Sequence, residues 1–441
     1  MNYVLSPIDA ANRFLQSLRK PARLLVAVSG GSDSTGLLIA LKQAQAAAGE
    51  GVSLVAATID HRLRRESADE AVRVGALAAG LGIPHFIRAW EDEKPASGVS
   101  AAAREARYRL LVATAREVGA DAIVSGHTLD DQRETVAMRG SRSRTDESLG
   151  LAGMAQAVLL DGRVWLFRPF LSSRRADIRA YLSGAGHGWI DDPSNLDPAY
   201  ERVRARLMLA AEGETAAGDW QAIAHRRQAL SHAAAELLAE HVTVHHQVIA
   251  LVAPPALGGA PDVIRHALSA LIAVLGGGAH GPGTDRMARV MDFVTTASPG
   301  RMTAGRVLID RRRDGLYLMR ENRDILPLRL MPGTAGVFDR RFRVELEEGE
   351  GPAIVAAGAL AGEQALADFA GLPPGIARAA ARIRPQIRNL DASTGVAGNA
   401  RITPVFAPYD RFLPEFDLEL ATRMRQSFGC MSYSLPPRQP R

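Results

Sequence analysis

Residues 24–28, Leu-Leu-Val-Ala-Val, run without a polar interruption, the pattern of a strand buried on both faces of a parallel sheet. Residues 10–18 before it read as a short leading helix, and apolar residues at helical spacing follow over 35–48. A second apolar strand, 52–59, ends in Asp60-His61, and helical spacing returns over 66–81. Residues 84–90 predict a third strand. Residues 100–118 predict an Ala-rich amphipathic helix with Ser100 as its N-cap. A fourth strand at 122–125 leads into a helix near Asp130, a fifth lies at 164–167, and another helix covers 172–182. Repeated strand–helix units with buried strands predict an α/β fold built on a doubly wound parallel sheet. Ligands then sit beyond the carboxyl ends of its strands.

Past Glu212 the pattern changes. Residues 213–296 read as mostly helical, with glycine breaks at Gly258-Gly259 and 276–278. Residues 306–320 predict a hairpin around Arg313-Asp314-Gly315, an Asp-Gly turn signal. From Leu330 the chain is richer in Pro and Gly, with short strand-like pieces such as 341–346. The expected organisation is an α/β domain over 1–212, a mainly helical domain over 213–300 and a small α+β domain over 301–433. The proline-bearing tail, 434–441, is expected to be disordered.

Composition narrows the class without naming a function. Of the 441 residues 47% are hydrophobic and 23% charged, ordinary for a globular protein. The formal charge of +5 is carried almost wholly by arginine, since only Lys20, Lys42 and Lys94 are lysines. Arginine forks suit phosphates and bases, so the balance permits a nucleic-acid partner, although a codon bias towards arginine accounts for it equally well. A single cysteine, Cys430, excludes a disulfide framework, a four-cysteine zinc site and a cysteine-held iron–sulfur cluster. The first 18 residues have no continuous apolar core and no stretch reaches a membrane span, so a cytoplasmic protein with no membrane partner is expected.

Chemistry enters directly after the first strand, at Ser29-Gly30-Gly31-Ser32-Asp33-Ser34. A Gly-rich turn between a strand and a helix aims backbone N–H groups and a helix N-terminus at one point, which favours a phosphate. No lysine follows, so this is not the Walker A loop. The string resembles the pyrophosphate-binding loop of the PP-loop ATP pyrophosphatases, enzymes that split ATP between its α- and β-phosphates and leave AMP on an acceptor. Asp60-His61 and Gly126-His127 also follow predicted strands, where such a fold collects its ligands.

Further strings occur in a fixed order: Asp60-His61-Arg62, Ser100 to Tyr108, Gly126-His127-Thr128-Leu129-Asp130-Asp131-Gln132, Asp191-Asp192-Pro193-Ser194-Asn195 and Tyr200-Glu201-Arg202. Together they resemble the tRNA isoleucine lysidine synthetase family, closely over roughly residues 20–210 and faintly beyond. The resemblance implies activation of the wobble cytidine of the isoleucine tRNA with a CAU anticodon, using ATP, and coupling of free lysine to it. It implies pyrophosphate and ATP contacts from Ser29, Gly30, Gly31, Ser32, Asp33, Ser34, Asp60 and His61. Asp33 and Asp130 are the expected Mg²⁺ ligands, because a carboxylate inside a phosphate loop needs a cation beside it. Asp33, Asp130, Asp131 and His127 are the expected catalytic residues, with the proton acceptor for the lysine amine left open between a carboxylate and His127. Arg107 and Glu134 are expected to bind lysine, through its carboxylate and its ammonium. Arg202, Arg204 and Arg206 are expected to meet tRNA, with further tRNA contacts from 213–300. A homodimer is permitted but not required.

Two positions depart from the family pattern. Val203 stands where an asparagine is usual, and the loop 139–148 is longer and more charged than the usual turn before Gly150-Leu151-Ala152-Gly153-Met154. Competing readings weigh less. An RNA thiolase of this superfamily usually carries paired cysteines, which this chain lacks. A small-molecule adenylating ligase does not account for the Asp-Asp-Pro-Ser-Asn string and the basic second half. A non-catalytic RNA-binding relative is at odds with retained Asp33, Asp130 and Asp131.

Overall fold

The computed structural model describes residues 4–48, 51–64, 66–141, 149–191, 197–212, 220–296, 298–348, 351–358, 367–390 and 400–439. The chain forms two compact units. The first comprises Met1–Arg227 with Pro414–Phe416 and Ser434–Arg441, the second Gln228–Leu413 with Asp417–Tyr433.

In the first unit the strands are β1 (Ala22–Ala27), β2 (Val52–Asp60), β3 (His85–Ala89), β4 (Ala122–Ser125), β5 (Ala157–Leu160) and β6 (Val164–Phe167). They run side by side in the order β5-β6-β4-β1-β2-β3. β1 pairs in parallel with both β2 and β4, so the winding direction reverses at β1. Leu24, Leu25 and Val26 are fully buried in succession, as a strand covered on both faces requires. The helices are α1 (Pro7–Ser17), α2 (Ser32–Ala48), α3 (Ser67–Gly80), α4 (Val99–Glu117), α5 (Leu129–Gly140), α6 (Arg175–Gly184) and α7 (Glu201–Glu212).

Several boundaries differ from the sequence reading for local reasons. α1 begins three residues early because Ser6 caps it, accepting the Asp9 N–H at 3.2 Å, with Pro7 at the first position. α4 is preceded by Gly98 in the left-handed region (φ 69°), which leaves Ser100 inside the first turn rather than at the cap. α2 starts at Ser32 rather than Thr35, so the phosphate-type loop is partly the first helical turn. β5 was not anticipated. It is a short hairpin partner of β6, antiparallel on the otherwise parallel sheet, turning at Asp161 and Gly162, both at positive φ.

The second unit contains α8 (Trp220–His241, which begins in the first unit), β7 (Val242–His245), β8 (Ile249–Val252), α9 (Pro261–Gly276), α10 (Thr284–Thr295), β9 (Gly300–Ala304), β10 (Val307–Arg312) and β11 (Gly315–Arg320). The hairpin β10–β11 turns at the Asp-Gly signal. The β7–β8 hairpin interrupts the stretch expected to be helical, and its β-branched Val and Thr residues favour that state. These strands share one sheet, β7-β8-β11-β10-β9. The expected division at residue 300 therefore cuts through a sheet and does not separate two domains. Beyond it lie β12 (Leu328–Leu330), β13 (Ala335–Phe338), β14 (Phe342–Leu346), β15 (Ala353–Ala357), α11 (Pro374–Ile383), β16 (Pro385–Asn389), β17 (Ala400–Pro404) and α12 (Leu418–Ser427). Tyr317, Phe338, Phe342, Phe369 and Ile383 belong to one apolar core.

The tail is a correction to the expected disorder. Up to Gln439 it is held against the first unit. Leu18 bridges Arg438, Arg19 Nε donates to the Arg438 carbonyl at 2.7 Å, and Trp165 Nε1 donates to the Ser434 carbonyl at 3.1 Å. Arg438 also pairs with Glu415 and lies 4.4 Å from the Phe167 ring centroid.

Candidate active site

A cavity of about 880 Å³ opens at the carboxyl ends of β1 and β4, where the winding reverses. Ser29, Gly31, Ser32, Asp33 and Ser34 line it together with Gly126 and His127. The loop is shaped from within. The Ser29 N–H donates to Ser34 Oγ at 3.1 Å, Ser34 Oγ donates to the Gly31 carbonyl at 3.2 Å, and Thr35 Oγ1 donates to the Gly30 carbonyl at 3.1 Å. The N–H groups of Ser32, Asp33 and Ser34 precede the first helical bond of α2, from the Thr35 N–H to the Gly31 carbonyl at 3.0 Å, and stand at the positive end of the helix dipole. Two glycines are required by contact. Gly30 sits at φ +89°, where a Cβ would come within 2.7 Å of Ile190 Cδ1. A Cβ on Gly126 would come within 2.7 Å of the Asp33 carbonyl oxygen.

Behind the loop the site is a charge cluster centred on Arg175, which the sequence reading missed. Its Nε donates to Asp33 Oδ2 at 2.9 Å, its Nη2 to Asp131 Oδ1 at 2.7 Å, and its Nη1 lies 3.6 Å from Glu134 Oε1. Its backbone N–H donates to Asp130 Oδ2 at 2.7 Å, so Asp130 caps the start of α6. Arg202 reaches Glu134 Oε2 at 2.5 Å and Asp131 Oδ1 at 2.9 Å, and Arg206 Nε donates to Glu134 Oε1 at 2.8 Å. Burial works against the Arg175 charge, but Asp33, Asp131 and Glu134 outweigh it and its pKa is raised. Asp33 shows the reverse balance: burial pushes its pKa up against the pull of Arg175. Three carboxylates thus face three guanidiniums, the condition under which charges can stay in a confined site.

The expected residues divide accordingly. Asp33, Asp131, His127, Arg107, Arg202 and Arg206 all line the cavity. Glu134 does not stand open as an ammonium receptor: its side chain is 2% exposed and both oxygens take arginines. Arg202 and Arg206 point into this cluster, and Arg204 bonds the Pro198 and Ala199 carbonyls. Asp60 and His61 are not among the lining residues. Asp60 Oδ1 accepts the Arg62 N–H and the Ser67 hydroxyl, and His61 packs edge-on to Trp90. Arg107 makes no hydrogen bond or ion pair among the described residues, a cation left to the cavity. Asp131 also closes a capping box with Thr128, which fixes the start of α5. His127 shares a hydrogen bond with Ser125 Oγ at 2.9 Å, and burial, then Arg168 and other arginines, holds its pKa well below the usual imidazole value.

Arg179, one helical turn beyond Arg175, extends the cationic face, with Nε 3.4 Å from Ser32 Oγ and Nη2 3.1 Å from Asp191. Two arginines four apart at a helix start are visible in Arg175-Ala176-Asp177-Ile178-Arg179, but only the fold turns them towards the loop. The Asp192–Leu196 stretch and residues 142–148 of the variant loop lie outside the described residues; Val203 is buried in α7.

The fold and the loop together define a PP-loop domain, and the family model of that domain matches residues 7–212. A tRNA(Ile)-lysidine synthase from Rhizobium meliloti is 44% identical over 446 residues, covering 98% of this chain and 97% of the relative. One from Mesorhizobium japonicum is 36% identical over 97% of both chains, and one from Brucella melitensis 40% identical over 77% of both. The chain belongs to the tRNA(Ile)-lysidine synthase family.

Proposed function

We propose that this chain is the ATP-dependent ligase that forms lysidine at the wobble cytidine of the isoleucine tRNA with a CAU anticodon, in the cytoplasm. The cytidine C2 carbonyl oxygen attacks the α-phosphorus of ATP, an O–P bond forms and pyrophosphate leaves. The lysine ε-amine then attacks C2, AMP leaves with the oxygen, and the amine gives up a proton. The observation that carries this reading is the start of α2, where Ser32, Asp33 and Ser34 line a cavity walled by Arg175 and Arg179.

Donors fixed before the reaction stabilise charge that develops on the leaving pyrophosphate. Gly30, Gly31 and the first turn of α2 supply them, and Ser34 keeps the loop in shape. Arg107 is the cation for the lysine carboxylate. Glu134 acts by holding Arg202 and Arg206 in place rather than by receiving the ammonium. His127 is neutral at working pH and serves as a hydrogen-bonding wall of the cavity.

Mg²⁺ fits the site on one side chain. It is commonly held by one or two carboxylates with phosphate oxygens completing the shell. Among the described residues Asp33 Oδ1 takes only the Ser32 hydroxyl, at 3.1 Å, whereas Asp130 Oδ2 is committed to the Arg175 N–H. When bound, the ion neutralises phosphate charge in the transition state.

The test is AMP release from ATP in the presence of the CAU-anticodon tRNA. Wild-type protein is expected to release AMP and pyrophosphate in equal amounts, and Asp33→Ala to lose this activity while staying folded. ATP use unaffected by Asp33→Ala would contradict the assignment.

A further inference from the structure

The second unit holds a separate cavity of about 550 Å³. It is bounded by the β7–β8 turn, the β14 and β17 strands, the start of β16 and the end of α12. Phe342 and Phe428, both buried, form an apolar floor. Gln247, Gln426, Arg384 and the exposed His246 also line it, with Gln426 Nε2 donating to the Ser432 hydroxyl at 2.9 Å. The His246 ring is fixed edge-on to Phe369, with centroids 4.7 Å apart. His246 and Gln247 both have positive φ, 48° and 62°, in the three-residue turn 246–248 that joins β7 to β8, a conformation that ordinarily falls to Gly or Asn. Such strain persists where the surroundings over-determine it, often at ligand clamps. Here Gln247 Nε2 donates to the Phe428 carbonyl at 3.1 Å and ties the turn to the floor.

Flat apolar faces, amides that both donate and accept, and one arginine are what an unstacked base with its phosphate requires. The cation is available at little cost, because the Arg384–Asp368 pair is more than a third exposed on both sides. One arginine matches the single charge of a phosphodiester better than the doubly charged phosphate of a free mononucleotide.

We propose that this cavity binds one unstacked nucleotide of a single-stranded segment of the RNA substrate, a contact additional to the reacting cytidine. It rests on the reading of the chain as a tRNA-modifying enzyme.

The experiment is photocrosslinking of the full-length protein with a tetranucleotide carrying 4-thiouridine, mapped by peptide mass spectrometry. Adducts within 244–247 or 426–429 are expected, and adducts confined to the first unit would overturn the proposal. Excess CMP removing these adducts as well as excess tetranucleotide does would make the ligand a free nucleotide, and would also overturn it. In the second arm, Arg384→Ala is expected to raise KM for tRNA about tenfold with kcat unchanged. Loss of one phosphate contact is also expected to flatten the salt dependence of tRNA binding by roughly 0.7 in log–log slope. An unchanged KM and slope would refute the site. Crosslinking does not depend on lysine transfer. Adducts here without transfer would sink the lysidine reading alone, and transfer without adducts would sink this one alone.

Discussion

Arg175 decides whether three acids can share one site. It touches Asp33, Asp131 and Glu134 with three different nitrogens, and its side chain is only 19% exposed. Removing one partner of a buried ionic cluster leaves uncompensated charge and costs on the order of 3–5 kcal/mol. Arg175→Met is therefore expected to lower the unfolding free energy by about that amount and to abolish AMP release. Arg175→Lys keeps the charge but not the fork, so it should recover part of the stability and little of the activity. Equal stability of Arg175→Met and wild type in denaturant unfolding would contradict the cluster. A second residue-level expectation concerns pH. Burial, then Arg107, pushes the His61 pKa from 6.5 down to about 4, with Asp60 opposing. Between those values the unfolded chain binds more protons than the folded one, so stability rises with pH across the window and is lost as pH falls from 6.5 towards 4. His127 adds to the loss with the same sign. His61→Gln should lose less stability than wild type between pH 7 and pH 5, and an identical loss would rule out His61 as a source. The loop, the Asp130-Asp131 pair, His127 and Arg107 were legible as chemistry in the sequence. Arg175 was not, because nothing local distinguishes it from neighbouring arginines such as Arg174.

Among the elements, α2 carries the chemistry because it begins at Ser32, three residues before its apolar face becomes periodic. Apolar spacing reports where a helix packs, and here the first turn faces a cavity instead. The parallel strands were legible for the complementary reason: burial on both faces leaves an unbroken apolar run. β5 and the β7–β8 hairpin are only four residues per strand, too short for a period to stand out. The join between β4 and α2 is close enough to test. Gly126→Ala places a Cβ against the Asp33 backbone, and displacing a reacting group by about 1 Å can cost roughly 100-fold in rate. A loss of AMP release of that order is expected with the circular dichroism spectrum retained. Wild-type activity in Gly126→Ala would mean that the loop does not need this approach.

Across the whole molecule, the first unit is completed by residues more than 400 positions from α1. The tail was expected to be disordered because it is a terminal stretch bearing Pro436, Pro437 and Pro440. Its anchors are instead a backbone bridge at Leu18, the Arg438–Glu415 pair and the Trp165 indole, contacts with no sequence signature. Deleting 434–441 is expected to lower the thermal midpoint of the full-length protein and to expose Trp165, read as a red shift in its fluorescence. An unchanged midpoint and spectrum would show that the tail contributes nothing to the unit. The same scale holds the central claim, that ATP activation at the loop ends in lysine on one tRNA. The measurement that tests it most directly is transfer of radiolabelled lysine to the isoleucine tRNA with a CAU anticodon, beside the same tRNA with its wobble cytidine changed to uridine. Label entering only the first, in step with AMP release, is the expected result. AMP release without label in either tRNA would leave the adenylation standing and contradict lysine as the nucleophile.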